Sequence, residues 1–72
     1  MVELKISIAK NRITYIPKDI VEQLGRKLKV IANARSAVIF PEDAEYEEVI
    51  ESLKVILADL ELRARLKRGE RR

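Results

Sequence analysis

Val2, Leu4, Ile6 and Ile8 alternate with Glu3, Lys5, Ser7 and Ala9, and a two-residue period over residues 2–9 predicts a strand with one apolar face. A turn is expected at Lys10-Asn11. Residues 12–16 are rich in β-branched and aromatic types and read as a second strand. Pro17 ends it, because proline cannot donate to a strand ladder and suits the start of a helix. From Pro17 the period lengthens. Ile20, Val21 and Leu24 fall on one helical face, and Gly25 takes the left-handed exit position. A helix of about two turns is unstable alone in water, so packing has to hold it.

Two more apolar runs follow, residues 29–32 and 37–40, separated by Asn33-Ala34-Arg35-Ser36 and closed by Pro41. They predict a hairpin. The first module is therefore strand, strand, short helix, strand, strand over residues 1–41, with Val30, Ile31, Val38, Ile39 and Phe40 as core candidates.

Residues 42–72 form the second module, one long helix with Asp43 as its expected N-cap. Acids (Glu42, Asp43, Glu45, Glu47, Glu48) crowd its start and bases (Arg63, Arg65, Lys67, Arg68) its end, in agreement with the helix dipole. Tyr46, Val49, Ile50, Leu53, Ile56, Leu57, Leu60 and Ala64 step by three and four and form a broad apolar stripe. Val55, Leu62 and Leu66 lie off it. Apolar surface on more than one side marks this helix as an interface for assembly or for a partner.

Composition changes this picture in three ways. With 72 residues the chain makes one small domain, of a size at which oligomerisation is a usual source of stability. It has no cysteine and no histidine, so neither a disulfide framework nor a thiolate or imidazole metal site is expected, and no cofactor. Its charge is unevenly divided: residues 1–41 hold eight basic and three acidic side chains, a net +5, whereas residues 42–72 hold seven basic and nine acidic, a net −2. The basic first module suits a polyanion. The N-terminal alternation lacks the apolar core of a signal peptide, and no run reaches the roughly 18 apolar residues of a membrane span. A cytoplasmic protein is the expectation. A charged fraction of 38%, with two Asn and one Gln, fits the ion-pair habit of thermophile proteins.

Lys10-Asn11, the Ile-x-Tyr-Ile-Pro run from Ile13 to Pro17, Lys18-Asp19-Ile20 and Leu24-Gly25, followed by an apolar hairpin, resemble the AbrB/SpoVT family of swapped-hairpin DNA-binding domains. MazE-type and archaeal VapB-type antitoxins carry the same domain. The resemblance covers about residues 2–41. It implies an α+β fold in which two chains interlock their hairpins into one β-barrel, an intertwined homodimer, with the short helix as a plug on the shared barrel. It also implies contacts with double-stranded DNA from Lys10, Asn11, Arg12 and Lys18, to which charge adds Lys5 and Arg26. The sequence departs from the family pattern in two places. Where the family usually has Gly-Arg, aligned on Pro17, this chain has Arg12-Ile13. Where the family often has a Pro-Gly-Asp turn after the helix, Gly25-Arg26-Lys27-Leu28 runs directly into the next strand. For the second module, the likeness to VapB-type antitoxins implies a PIN-domain toxin as partner, with Arg63, Arg65 or Arg68 placed against its acidic metal site, where a guanidinium pairs carboxylates in bidentate fashion.

Blander readings stand beside these. Surface lysines solubilise small domains, and Arg12 either holds a phosphate or pairs with an acid across its hairpin. The long helix is either a dimer or tetramer zipper or a toxin-binding segment, and the whole chain is either a DNA-binding regulator or a scaffold oligomer with no specific DNA target. Tyr15 and Tyr46 read as packing residues, since three aromatics in all do not build a base-stacking surface. An enzyme is not expected. Ser7, Ser36 and Ser52 have no nucleophile context, the acids of residues 42–51 form a helix start, and Gly25 and Gly69 do not make a phosphate loop.

Overall fold

A computed structural model describes residues 1–70; Arg71 and Arg72 of the basic tail lie outside the described residues. The chain is α+β and contains, in order, helix α1 (Lys18–Leu24), strands β1 (Leu28–Ala32) and β2 (Ala37–Pro41), and helix α2 (Tyr46–Glu70). It divides into two units, one of residues Val2–Asp43 and one beginning at Ala44, to which Met1 also belongs.

In the first unit, β1 and β2 form a two-stranded antiparallel hairpin with Lys29 opposite Phe40, Val30 opposite Ile39 and Ile31 opposite Val38. The hairpin is one residue longer at its open end than the apolar runs predict, and Glu42 N–H donates to the Lys27 carbonyl just beyond it at 3.0 Å. Its turn is built by Asn33. The Asn33 N–H donates to the Ser36 carbonyl at 2.9 Å, while its Oδ1 accepts from the Arg35 and Ser36 amides at 2.9 and 3.1 Å. Short polar side chains stabilise such turns by standing in for a backbone acceptor.

Helix α1 starts directly after Pro17, whose carbonyl accepts from the Ile20 and Val21 amides at 3.0 and 3.3 Å. It ends at Gly25, which donates to the Val21 carbonyl at 2.8 Å and has φ +86° and ψ −170°. The positive φ agrees with the sequence, but the pair of angles lies in the glycine-only extended region and not in the left-handed helical one. A Cβ added there meets nothing within 4 Å, so the demand for glycine comes from the backbone alone.

The structure corrects several expectations. Residues 2–9 and 12–16 are not strands here. They are two arms joined by the expected turn, closed by a bond from the Ala9 amide to the Ile13 carbonyl at 2.9 Å and by the Thr14 hydroxyl on the Ser7 carbonyl at 2.5 Å. An isolated two-stranded ribbon is marginal in water, and a ladder forms only when a further edge or a packed face supports it. The core candidates fare likewise. Among the described residues Phe40 is the one buried hydrophobic, at 5% exposure; Val38 is half-buried, and Val30, Ile31 and Ile39 are exposed. The hairpin thus carries apolar side chains on both faces. Tyr15 and Tyr46, expected to pack, are exposed, Tyr15 at 95%.

In the second unit, α2 runs for 25 residues, about 37 Å at 1.5 Å per residue. Its start also differs from expectation. The Glu45 carbonyl accepts the first helical bond, from the Val49 amide at 3.2 Å, and the Glu48 carboxylate reaches back to the Glu45 N–H at 3.4 Å. Glu45, not Asp43, therefore caps the helix, because the acid three residues into the helix satisfies the cap's own amide, as in one half of a capping box. Asp43 lies in the preceding turn.

Within the first unit Val2, Ile8, Ile13, Val30 and Ile31 are all more than half exposed, and apolar surface this extensive marks an interaction site. Two outcomes follow. The protein should sediment as an assembly at micromolar concentration, with an unfolding midpoint that rises with concentration; a stable folded monomer would contradict this. Gly25→Ala should lower the unfolding free energy by about 1–3 kcal/mol in denaturant titration, since alanine cannot relax into that backbone region without strain.

Candidate nucleic-acid interface

The most sharply defined basic feature is the turn between the two arms. Arg12 N–H donates to the Ala9 carbonyl at 2.8 Å across Lys10 and Asn11, and the Ala9 amide donates to the Ile13 carbonyl. Asn11 Oδ1 accepts from the Ile13 amide at 3.2 Å. This is the three-residue hairpin loop in which a type I turn is followed by a left-handed residue. The left-handed residue is Arg12, at φ +68°, the one non-glycine residue with positive φ among those described. Glycine or asparagine usually holds such a place, because a Cβ there crowds the following carbonyl. The loop consequently holds Lys10 and Arg12, both exposed, one on each side of Asn11 at its tip.

The other expected DNA contacts lie elsewhere in the same unit, and all are exposed: Lys5 on the first arm, Lys18 in the first turn of α1, and Arg26 just after Gly25. Lys18 Nζ lies 3.6 Å from Glu22 Oε1, one turn along α1, with the lysine side chain 85% exposed. An ion pair this open to water is worth little and leaves the ammonium available. Only Lys10, Asn11 and Arg12 are joined by a common backbone device.

On α2, Val49 and Leu53 are half-buried, whereas Tyr46, Ile50, Ile56, Leu57, Leu60 and Ala64 are exposed. The off-stripe residues Val55, Leu62 and Leu66 are exposed as well. The three arginines differ. Arg63 is half-buried, and its Nε donates to Asp59 Oδ2 at 2.6 Å, while Arg65 and Arg68 are exposed. Sequence reasoning overlooked Asp59 as the partner of Arg63, although the four-residue spacing of acid before base was readable. It also overlooked that Arg12 sets the backbone of the turn as well as carrying charge. The signal was the Lys-Asn-Arg tripeptide at the end of an alternating run, with no glycine to take a left-handed place.

Among the described residues, no group of three or more Asp and Glu stands close enough together to hold a metal ion, and no helix is long and apolar enough to cross a membrane. No protein-family model, curated protein or solved structure matches this chain.

Proposed function

We propose that the protein is a homodimeric DNA-binding regulator of the AbrB/SpoVT type, in which the arms and hairpins of two chains interlock into one barrel and present two basic turns to double-stranded DNA. The observation that carries this reading is the conformation of Arg12. The residue standing where the resembled family has glycine is the one with the left-handed backbone, at the last position of a three-residue loop. The uncovered apolar faces of the arms and of β1–β2 support the interlocked partner, and the net +5 of residues 1–41 supports the polyanion. Lys10 and Arg12 act on phosphates, and Asn11 shapes the loop between them. Lys5, Lys18 and Arg26 add to the field that steers DNA to this face.

A second reading extends the first. Arg65 and Arg68, exposed near the end of α2, suit an acidic partner such as the metal site of a PIN-domain nuclease, which makes the chain a VapB-type antitoxin as well as a regulator. Arg63 is the weakest of the three for this role, because Asp59 already holds it. A scaffold without a DNA target is the rival to both.

Arg12→Gly tests the DNA reading. The substitution relieves the left-handed strain and should raise unfolding free energy by about 0.5–1 kcal/mol. It should also weaken operator or plasmid-fragment binding and reduce the slope of log affinity against log salt by about 1 per chain. A more stable protein with unchanged affinity and slope would remove Arg12 from the interface. For the antitoxin reading, Arg65→Glu with Arg68→Glu should leave DNA binding intact and reduce capture of a nuclease from the native host at least tenfold. A full-length chain that co-purifies with no such protein would leave the regulator alone.

A further inference from the structure

Tyr15 is the most exposed large hydrophobic side chain among the described residues, at 95%, and its hydroxyl has no hydrogen-bond partner among them. The backbone of the arms gives its direction. The bond from the Ala9 amide to the Ile13 carbonyl sets those residues opposite each other, and the Thr14 hydroxyl on the Ser7 carbonyl holds the arms together beyond them. Followed along the arms, this register places Ile8 opposite Thr14, Ser7 opposite Tyr15 and Ile6 opposite Ile16. Side chains of opposed extended segments alternate in step, so Tyr15 shares the face of Lys5, Ser7, Ala9 and Ile13 and not that of Leu4, Ile6 and Ile16. Exposure agrees: Ile6 and Ile16 are 44 and 37% exposed, far below Tyr15.

Two observations choose what meets the ring. First, its face carries Lys5 and Ser7, and cover by the apolar side chains of a second copy would leave the Lys5 ammonium unpaired in the contact, at a high desolvation cost. Second, residues 4–18 hold four basic side chains, Lys5, Lys10, Arg12 and Lys18, and no acidic one; all four are exposed and belong to the same unit as Tyr15. Lys18 has a solvent-open pair with Glu22, whereas Lys5, Lys10 and Arg12 have no ion-pair partner among the described residues. The partner of such a surface is anionic. A phenol ring with an apolar body and a donor at its tip matches a sugar-phosphate backbone, where the ring lies on the sugar and the hydroxyl reaches the phosphate.

We propose that Tyr15 is a further DNA contact, its hydroxyl donating to a phosphate oxygen of the duplex and its ring resting on the adjoining sugar. The contact positions the duplex against the Lys10–Arg12 turn and does not read base sequence. Lys5, on the same face, adds charge beside it. The inference rests on the DNA-binding part of the proposed function.

Tyr15→Phe removes the hydroxyl alone at an exposed position, so the fold is retained. Binding of the full-length wild type and variant to a labelled duplex fragment is measured across a salt series. Tyr15→Phe should weaken binding about tenfold, the loss of a hydrogen bond to a charged acceptor, by the same factor at every salt concentration. The slope of log affinity against log salt should stay as in the wild type, because tyrosine carries no charge and its contact releases no counterion. A wild type that binds with a salt-dependent affinity, alongside a Tyr15→Phe variant of equal affinity, would overturn this inference alone. A wild type that does not bind duplex DNA would overturn the DNA reading with it. As an independent measurement, tyrosine nitration with tetranitromethane is mapped by mass spectrometry of the peptide that contains Tyr15. Rapid nitration at every protein concentration, with protection on addition of the duplex, is expected. Protection that develops with protein concentration in the absence of DNA would place Tyr15 between copies of the chain and contradict the assignment.

Discussion

Backbone amides and carbonyls on an extended segment need partners, and apolar side chains need cover; in the first sixteen residues the cover is what a single copy leaves incomplete. Between residues 2 and 16 a few hydrogen bonds near the turn hold two arms together, while Val2, Leu4, Ile6, Ile8, Ile13 and Ile16 remain exposed. The β1–β2 hairpin shows the same deficiency in milder form, with a complete ladder but apolar side chains on both faces and one buried residue, Phe40. Both deficiencies have the same remedy, a further sheet edge and a further apolar face. On the proposed reading, a second copy of the chain supplies both.

What the chain does complete alone is local. Asn33 closes the β1–β2 turn, Asn11 and Arg12 close the turn between the arms, Gly25 releases the chain from α1, and Glu45, whose amide bonds the Glu48 carboxylate, caps the start of α2. Each uses a side chain or a backbone angle within a few residues of the group it satisfies. Local closure of this kind places Lys10 and Arg12 at a tip with little dependence on long-range packing. The same turn couples strain to charge, since the residue that carries the guanidinium also occupies the conformation that glycine would hold at lower cost.

The same distinction explains what was legible in the sequence. Helix α1 and its glycine exit, the β1–β2 hairpin and the length of α2 follow from proline and glycine placement, polar turn residues and three-to-four spacing, all of which act over short range. Alternation over residues 2–9 predicts a half-buried strand, but these residues are all exposed, and because a strand is a relation between two segments the ladder expected there is absent from one chain. Val30, Ile31 and Ile39 failed as core residues for the same reason: hydrophobicity states that a side chain should be covered and not which molecule covers it. The α2 cap moved from Asp43 to Glu45 because an acid three residues later outweighs the intrinsic preference of aspartate for the cap. Within the candidate interface, the exposure of the five basic positions, Lys5, Lys10, Arg12, Lys18 and Arg26, agrees with their charge, whereas the left-handed backbone of Arg12 required the hydrogen-bond geometry of the turn.

On the proposed reading, the arms at residues 2–9 and 12–16 acquire their further hydrogen-bond partners from a second copy of the chain. Amide hydrogen exchange, followed across a dilution series that spans the assembly equilibrium, addresses those amides individually. Strong protection of both arms at high concentration, lost in step with dissociation while the amides of α2 hold longer against exchange, is the predicted result. Rapid exchange of the arms at every concentration, in a protein that sediments as an assembly, would contradict the account.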